Sequence, residues 1–194
     1  MLSSGQIENK TDEEIVPLVL QDQDNFLYLM KRYEERLLRY IRRISGLDKE
    51  DAEDVLQEVF IKIYENLNGF DTSLKFSSWA YRIAHNQVIS NYRKIKARPL
   101  TVSFDDDPFI ANKVSSSHDL IKELDRELDS ISIKNILSKI DVKYREVLVL
   151  KFIEEKDYSE ISDILQKPIG TVGALINRGK VQFKKIAEQE KIKF

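Results

Sequence analysis

The chain has 194 residues, of which 42% are hydrophobic and 33% are charged, with a formal net charge of −2. Six glycines and four prolines are too few for the frequent turns of an all-β protein, so the composition favours an all-α fold. The absence of cysteine excludes disulfides, thiolate metal sites and cysteine nucleophiles. No segment has the ~20 consecutive apolar residues of a membrane span, and the polar start from Met1 to Asp12 lacks the apolar run of a signal peptide. We therefore expect a cytoplasmic, soluble protein that does not insert into a membrane.

Two helices are predicted in the first 45 residues. Thr11 and Glu14 have the spacing of a capping box, and Pro17 predicts that the helix they begin is short or kinked. Apolar residues then recur at spacings of three and four from Asn25 to Ile44, which is the period of an amphipathic helix. Ser45-Gly46 is a typical helix end.

The next two predicted helices differ in the chemistry of their outer faces. The helix over 51–67, preceded by Asp48 as a plausible N-cap, has an acidic and polar face opposite its apolar stripe. The helix from Phe76 to about Lys96 mixes aromatic and basic residues. Cations follow a nucleic-acid backbone, and aromatic rings stack on unpaired bases. The pattern favours the core for Trp79, whereas Phe76 and Tyr81 are less clearly directed inward.

A change of composition predicts a boundary between two domains. From Pro99 to about Ser117 there is no helical period, and this length exceeds most loops inside a compact domain. We expect a flexible linker over 97–118 that joins domains spanning 1–96 and 119–194. The run Asp105-Asp106-Asp107 in this linker is interpreted as a solvated acidic loop and not as a magnesium site.

The C-terminal pattern is typical of a helix-turn-helix. Helices are predicted over 143–153, 157–165 and from Thr171 to about Ala187, with a tight turn at 167–170. Residues 167–185 contain five basic residues and no acid. In a helix-turn-helix the second helix enters the major groove of DNA, with its N-terminal residues near the base edges.

Catalytic chemistry has little support in the sequence. The two histidines, His85 and His118, have no histidine or cysteine companions at ligand spacing. The motifs of zinc proteases, serine hydrolases and phosphate-binding loops are also missing. We expect no catalytic residues, no metal site and no cofactor.

Three stretches resemble, in order, the functional parts of bacterial RNA polymerase sigma factors. Residues 51–60 (DAEDVLQEVF) resemble the helix that docks on the clamp of core polymerase. Residues 76–86 (FSSWAYRIAHN) resemble the segment that melts and reads the −10 promoter element. Residues 158–161 (YSEI), with 170–172 (GTV) and Arg178, resemble the helix-turn-helix that reads the −35 element. Two domains joined by a linker imply the extracytoplasmic-function (ECF) group.

The resemblance implies two partners, core RNA polymerase and promoter DNA, and an anti-sigma factor is a further partner common in the group. The residues that it assigns to the polymerase clamp are Asp54, Gln57, Glu58 and Lys62. Those assigned to −10 DNA are Phe70, Lys75, Phe76, Ser77, Tyr81, Asn86, Arg93 and Lys94. Within this set, Phe70 and Asn86 match positions that shape a pocket for an extruded base. Those assigned to −35 DNA are Thr171, Gly173, Ala174, Asn177, Arg178 and Lys180.

The sequence also departs from the family pattern. Ser90 stands where an aspartate is common, Pro168 where a capping serine is usual, and Gly173-Ala174-Leu175 where Lys, Ser and Arg are common. Reading of the −35 element would then depend on DNA shape and phosphate contacts, or selectivity would come from the −10 element. Two alternatives remain open: a helix-turn-helix regulator that acts without polymerase, and a sigma-like interaction protein that has lost DNA reading.

Overall fold

The computed structural model describes residues 9–97 and 133–190, and the regular elements of these ranges are all helical. In chain order, the α-helices are α1 (Asp12–Gln21), α2 (Phe26–Ser45), α3 (Lys49–Asn66), α4 (Phe76–Ala97), α5 (133–139), α6 (Val142–Leu148), α7 (Tyr158–Leu165) and α8 (Ile169–Gln189). Short 3-10 turns, Gln23–Asn25 and Leu67–Gly69, follow α1 and α3, and a π-helical turn, Val149–Ile153, continues α6. The predicted all-α fold is confirmed. Of the predicted linker over 97–118, Ala97 is the last residue of α4 and the rest lies outside the described residues. The domain boundaries at 96 and 119 stay a prediction.

The N-terminal half is a bundle of α1 to α4 around a core that is rich in tyrosine. Tyr33 and Tyr40 of α2 are fully buried, as are Leu37 and Ile41 on the same face. Each buried side chain of this size contributes about 1.5–3 kcal/mol through the apolar surface that it removes from water. The Tyr33 hydroxyl donates to a carboxylate oxygen of Asp12, so the polar end of this ring has a partner inside the bundle.

Local signals set the ends of these helices as the sequence predicts. Glu14 N donates to Thr11 Oγ1 (3.3 Å) and Thr11 N donates to Glu14 Oε2 (2.8 Å), which completes the capping box of α1. Helix α1 is short, at ten residues, and continues through the exposed Pro17. Gly46 ends α2 in the left-handed region (φ 73°), a conformation that a residue without Cβ adopts at low cost.

The C-terminal half packs α6 and α7 against the long helix α8. Gly179 of α8 is buried, and a Cβ at this position would lie 3.1 Å from Leu148 Cγ of α6. The missing side chain therefore lets the two helices approach closely. The predicted capping pair of α7 is confirmed: Asp157 N donates to Glu160 Oε2 (2.9 Å), and Glu160 N donates to Asp157 Oδ1 (2.8 Å).

Two predicted boundaries in this half were wrong. The last helix begins at Ile169 and not at Thr171, with Pro168 as its N-cap, and the chain reverses at Gln166 (φ 51°). Proline suits the start of a helix because its fixed φ is helical and the N–H that it lacks would have no partner there. The helix predicted over 143–153 is α-helical only as far as Leu148 and then widens into the π-helical turn.

The two halves contact each other along α4 and the end of α2. Arg145 of α6 is buried, and its guanidinium donates to Ile44 O (3.4 Å) at the end of α2 and to Ser138 O (2.9 Å) at the end of α5. His85 Nε2 of α4 lies 3.2 Å from Glu146 Oε1 of α6. Helix α4, which carries most of the residues predicted to bind −10 DNA, therefore contributes to the contact between the two halves.

Candidate polymerase and nucleic-acid interfaces

The outer face of α3 presents all four residues predicted to bind the polymerase clamp. The Asp48 side chain caps this helix by accepting from Asp51 N (2.9 Å). The register that follows buries Val55 and Val59 and leaves the predicted residues exposed on the other side: Asp54, Gln57, Glu58 and Lys62. The exposure of these four residues agrees with the sequence pattern, and their binding to the polymerase clamp stays a prediction.

Two of these four side chains, Glu58 and Lys62, also form hydrogen bonds that hold α3 against α4. The buried Gln87 of α4 donates through Nε2 to a Glu58 carboxylate oxygen and accepts through Oε1 from Lys62 Nζ. Both contacts join α3 to α4. Replacing Glu58 would leave a buried amide without its acceptor, which costs about 1–3 kcal/mol. Substitutions at Asp54 and Gln57 therefore test binding by this face without disturbing the contact between α3 and α4.

An apolar part of the α3 face was missed from the sequence. Ile61 is 56% exposed, and it lies four residues after Gln57 and three after Glu58, so it shares their side of the helix. Tyr64 is also exposed, packs on Phe26 (ring centroids 5.2 Å apart) and donates through its hydroxyl to Gln23 Oε1 (2.9 Å). An isoleucine outside the apolar stripe was the signal in the sequence that could have indicated this patch.

A cavity opens between α3 and α4 on the same side of the bundle. Its volume is about 320 Å³, and its lining residues are Lys62, Asn66, Trp79, Ile83 and Asn86. Asn86 is exposed, and among the described contacts none engages its side-chain amide. Trp79 is half-buried, with its ring 5.0 Å from that of Phe70. Of the two residues predicted to shape a base pocket, Asn86 lines this cavity, whereas Phe70 is buried and is not among the lining residues. The sequence missed Asn66, Trp79 and Ile83, whose place in the lining depends on the packing of two helices.

The aromatic side chains predicted beside the basic ones are more buried than the pattern indicated. Phe76 is buried between Tyr33 (5.3 Å) and Phe70 (5.5 Å), in edge-to-face contact with both rings. Tyr81 is also fully buried, with its ring 4.9 Å from that of Tyr40. Sequence periodicity left the directions of Phe76 and Tyr81 open because the residues that cover them come from distant segments. In this structure neither ring offers a face to a base.

Four residues near the start of α4 are held by the C-terminal half. Lys75 Nζ lies 3.3 Å from Glu160 Oε1, Ser77 Oγ accepts from Lys156 Nζ (2.9 Å), and the Tyr81 hydroxyl donates to Glu154 Oε2 (2.5 Å). Arg82 Nη1 lies 2.9 Å from Asp163 Oδ1. Burial raises the pKa of the Tyr81 hydroxyl well above its usual value, and the Glu154 carboxylate raises it further. Arg93 and Lys94, toward the other end of α4, are exposed.

The helix-turn-helix consists of α7, the turn at Gln166 and α8. Five of the six residues predicted to bind −35 DNA are exposed on α8: Thr171, Ala174, Asn177, Arg178 and Lys180. Gly173, the sixth, is half-buried, and a Cβ there would lie at an ordinary 3.6 Å from Tyr158 Cε1. The structure therefore gives no steric reason for a glycine at position 173. Lys180 Nζ also lies over the ring of Phe152, 5.5 Å from its centroid.

Two features are absent from the described ranges, 9–97 and 133–190. No helix in them is long and apolar enough to cross a membrane. No group of three or more acidic or histidine side chains in them has the arrangement of a metal site.

The helices bury one face and leave three surfaces open: the acidic face of α3, the cavity between α3 and α4, and the basic side of α8. Together with the helix-turn-helix in the C-terminal half, these surfaces define a helical DNA-binding protein. Comparison with family models identifies the family within this class. Residues 29–98 match the model of sigma-70 region 2, and residues 130–183 match that of sigma-70 region 4. Each match covers most of one of the two halves described above.

Full-length relatives support the same assignment. The ECF RNA polymerase sigma factor SigW of Bacillus subtilis (strain 168) is 34% identical over 177 residues, which cover 84% of this chain and 89% of the relative. The ECF RNA polymerase sigma-E factor of Escherichia coli (strain K12) is 32% identical over 182 residues, covering 89% and 92%. The chain belongs to the ECF group of RNA polymerase sigma factors.

Solved structures agree with the fold. CnrH, in complex with the cytosolic domain of CnrY, is similar with a TM-score of 0.69 and 20% identity, over 93% of this chain and 99% of CnrH. The sigma factor RpoE of Bartonella quintana, in complex with the anti-sigma factor NepR, is similar with a TM-score of 0.64 and 17% identity, over 84% and 97%.

Proposed function

We propose that this sigma factor binds core RNA polymerase through the outer face of α3 and directs it to promoters with two DNA surfaces. The cavity between α3 and α4, with the exposed end of α4, would bind the −10 element as a melted strand. The exposed side of α8 would bind the −35 element as a duplex. The Asn86 amide lines the cavity and has no partner among the described residues, and this is the single observation that carries the proposal most directly.

The cavity suits an unpaired base in size and in chemistry. A volume of about 320 Å³ is ample for one nucleobase, Trp79 offers a partly exposed aromatic surface, and Asn86 and Asn66 offer amide donors and acceptors. Extruding a base costs a few kcal/mol, which stacking and hydrogen bonds to the base edge recover. Arg93 and Lys94, exposed further along the same helix, would bind phosphates of the strand.

The −35 surface is cationic but poor in side chains that discriminate between bases. Thr171 and Asn177 are polar groups able to reach base edges, whereas Gly173 and Ala174 offer almost no hydrogen-bonding capacity. Arg178 and Lys180 are exposed and suited to phosphates. We infer that this helix contributes affinity and register on the duplex, and that the −10 element contributes most of the selectivity.

As a sigma factor the chain is a regulator of transcription rather than an enzyme, and we propose that it performs no chemical step itself. Its place of action would be the cytoplasm, where core polymerase is found. Because the structurally similar sigma factor RpoE of Bartonella quintana was solved in complex with the anti-sigma factor NepR, we also propose an anti-sigma partner for this chain.

Transcription in vitro tests the proposal as a whole. Purified core polymerase, with and without this chain, is incubated with sheared DNA of its host, and the transcript starts are sequenced. New starts that share motifs near −10 and −35 are expected. Core binding without new starts would favour the interaction protein, and duplex binding without core binding would favour the stand-alone regulator.

A double variant tests the polymerase surface separately. Asp54→Ala with Gln57→Ala removes two exposed side chains without disturbing Gln87, so core affinity should fall while thermal stability changes little. Glu34→Ala with Gln21→Ala, an exposed acid and an exposed amide on other helices, is the matched control. Equal core affinity of the two double variants would remove the α3 assignment.

A further inference from the structure

The start of α4 is capped from a distant helix. Its first residue is Phe76, the residue before it is Lys75, and its first turn contains no acid. The first backbone N–H groups of a helix have no partner within the helix, and a lysine side chain has no acceptor to offer them. The acceptor comes from α1 instead, because Glu13 Oε1 accepts from Phe76 N (2.8 Å) across 63 residues of sequence.

The chemistry of this contact suits a helix start. Glu13 is half-buried and lies in the first turn of α1. Its hydrogen bond from a backbone N–H is charge-assisted, and such bonds are about twice as strong as those between neutral groups. A negative group at this end also complements the helix dipole, which is positive at the N-terminus. The carboxylate therefore holds the first turn of α4 against α1.

The neighbouring acid, Asp12, supports the same residue of α4 through a tyrosine. Asp12 accepts from the Tyr33 hydroxyl (2.5 Å) and pairs with Arg32 (2.7 Å). The Tyr33 ring packs edge-to-face on the buried ring of Phe76, with 5.3 Å between the centroids. Two successive acids of α1 thus hold Phe76, one through its backbone N–H and the other through its ring.

The cavity-lining residues of α4 follow directly after this capped turn. Trp79 lies three positions after Phe76, and Ile83 and Asn86 follow at further steps of four and three, so the three lining residues share one face of the helix. A helix moves as a nearly rigid rod, and a shift of its first turn displaces Trp79 before any other lining residue. The place of the aromatic ring in the cavity therefore depends on the position of Phe76.

The short loop before α4 is held at both ends. At its beginning Asp71 Oδ1 accepts from Ser73 N (2.9 Å), and Asp71 O accepts from Leu74 N (3.0 Å). At its end the contact with α1 fixes the first N–H of α4. The Phe70 ring, which precedes this loop, lies 5.0 Å from the Trp79 ring. Release of the second end would therefore loosen the packing around Trp79 as well.

Helix α1 has an anchor of its own in the bundle. Ile15, Val16 and Val19 are buried on its inner face, and the capping box of Thr11 and Glu14 sets its start. Neither feature uses Glu13. A change at Glu13 is therefore expected to release the start of α4 without detaching α1.

We propose that Glu13 is a positioning residue for the −10 pocket: its carboxylate fixes the first turn of α4 and thereby the place of Trp79 and Asn86 against an extruded base. Glu13 is not among the residues that line the cavity. The inference rests on the proposed −10 role of that cavity. It gives a part in promoter reading to α1, which precedes the segment that matches sigma-70 region 2, residues 29–98.

Two substitutions separate the reach of the side chain from its charge. Glu13→Asp keeps the charge in the first turn of α1 but is one methylene too short to reach Phe76 N in the same backbone. Glu13→Gln removes the charge and keeps both the reach and an acceptor oxygen. Thr11→Ala is the matched control, because it removes a capping hydrogen bond from α1 and leaves the contact between Glu13 and Phe76 in place.

Two readouts report on the pocket. Holoenzyme affinity is measured for a fluorescent single strand with the −10 sequence obtained from the transcription experiment, and for strands with an abasic nucleotide at each position in turn. The affinity ratio at a position gives the selectivity that its base supplies. Trp79 is the single tryptophan of the chain, so its fluorescence emission in the free chain reports on the cavity itself. Core affinity and melting temperature are measured alongside.

The expected result is a loss confined to one base. Glu13→Asp should lower the affinity ratio at the position bound in the cavity by about three- to tenfold. The ratios at other positions and the affinity for core should stay within about twofold. The Trp79 emission should shift to longer wavelength, because looser packing admits water to the ring. Glu13→Gln and Thr11→Ala should keep the native ratio and the native emission.

Three results would overturn the inference. A native ratio in Glu13→Asp would show that the contact does not position the pocket. An equal loss in Thr11→Ala would assign the effect to the stability of α1, and a loss in Glu13→Gln alone would assign it to charge. In all three cases native holoenzyme still distinguishes a base from an abasic site. If native holoenzyme makes no such distinction at any position, the −10 role of the cavity is itself contradicted, and the inference with it.

Discussion

Asn86→Ala is the sharpest test of the cavity between α3 and α4. The Asn86 side chain is exposed at this cavity, and no described contact uses its amide, so its loss should change the free energy of unfolding by no more than about 0.5 kcal/mol. In a complex the amide could donate and accept one hydrogen bond each with a base edge, an interaction that contributes about 1–3 kcal/mol. Since each 1.4 kcal/mol corresponds to about tenfold, strand affinity of the holoenzyme should fall by about 5- to 150-fold.

The assay compares two steps of initiation. Binding of holoenzyme to a fluorescent −10 single strand and the rate of promoter opening, measured by permanganate reactivity, should both decrease. Binding to duplex promoter before opening should stay within about twofold, because the −35 surface and the polymerase contacts are intact. Asn135→Ala, at an exposed position of α5 outside both DNA surfaces, is the matched control. An equal loss at both steps would mean that Asn86 is structural, and this reasoning would be refuted.

Three further predictions concern the C-terminal half. Arg178→Ala should weaken −35 duplex binding and make the slope of log affinity against log salt shallower by about 0.9, the effect of one lost phosphate contact. Gly179→Ala should lower the melting temperature, because its Cβ would lie 3.1 Å from Leu148 Cγ and overpacking of this kind costs about 1–3 kcal/mol. Hydrogen bonds from the backbone N–H of Glu160 lower the pKa of the Asp157 carboxyl. Its charge-dependent stabilisation is therefore complete above the ordinary carboxyl pKa and is lost as the pH falls through the lowered folded-state value. Asp157→Asn should make thermal unfolding less sensitive to acid.

Each of these three has its own control. Lys134→Ala removes one positive charge from α5, and an equal change in salt slope would show that only net charge matters. Gly170→Ala adds a Cβ with no atom within 4 Å, so it should preserve or raise the melting temperature, and an equal loss at both glycines would contradict the Leu148 explanation. Glu188→Gln neutralises an exposed acid near the end of α8, and its acid sensitivity should match that of the native chain.

Most of the helical framework follows from local sequence. The start of α1 at Thr11, the end of α2 at Gly46 and the capping of α7 by Asp157 depend on contacts within four residues, which a single sequence shows directly. The exposed faces of α3 and α8 follow from the same helical period. The sequence placed the start of α8 two residues late, at Thr171 instead of Ile169. Lys167, Pro168 and Gly170 together suggested a turn, but Pro168 is the N-cap and Gly170 already lies inside the helix.

Only the tertiary structure decided how the proposed −10 surface is arranged. The Tyr81 hydroxyl finds its acceptor 73 residues away, and Arg82 finds its carboxylate 81 residues away, so no local period could show that these side chains are covered. The bond between Glu58 and Gln87 joins two helices in the same way. The sequence by itself determined the helices, their polar faces and the family to which the chain belongs. Burial and pairing came from the packing of segments distant in sequence, because the environment of a side chain depends on every segment that reaches it.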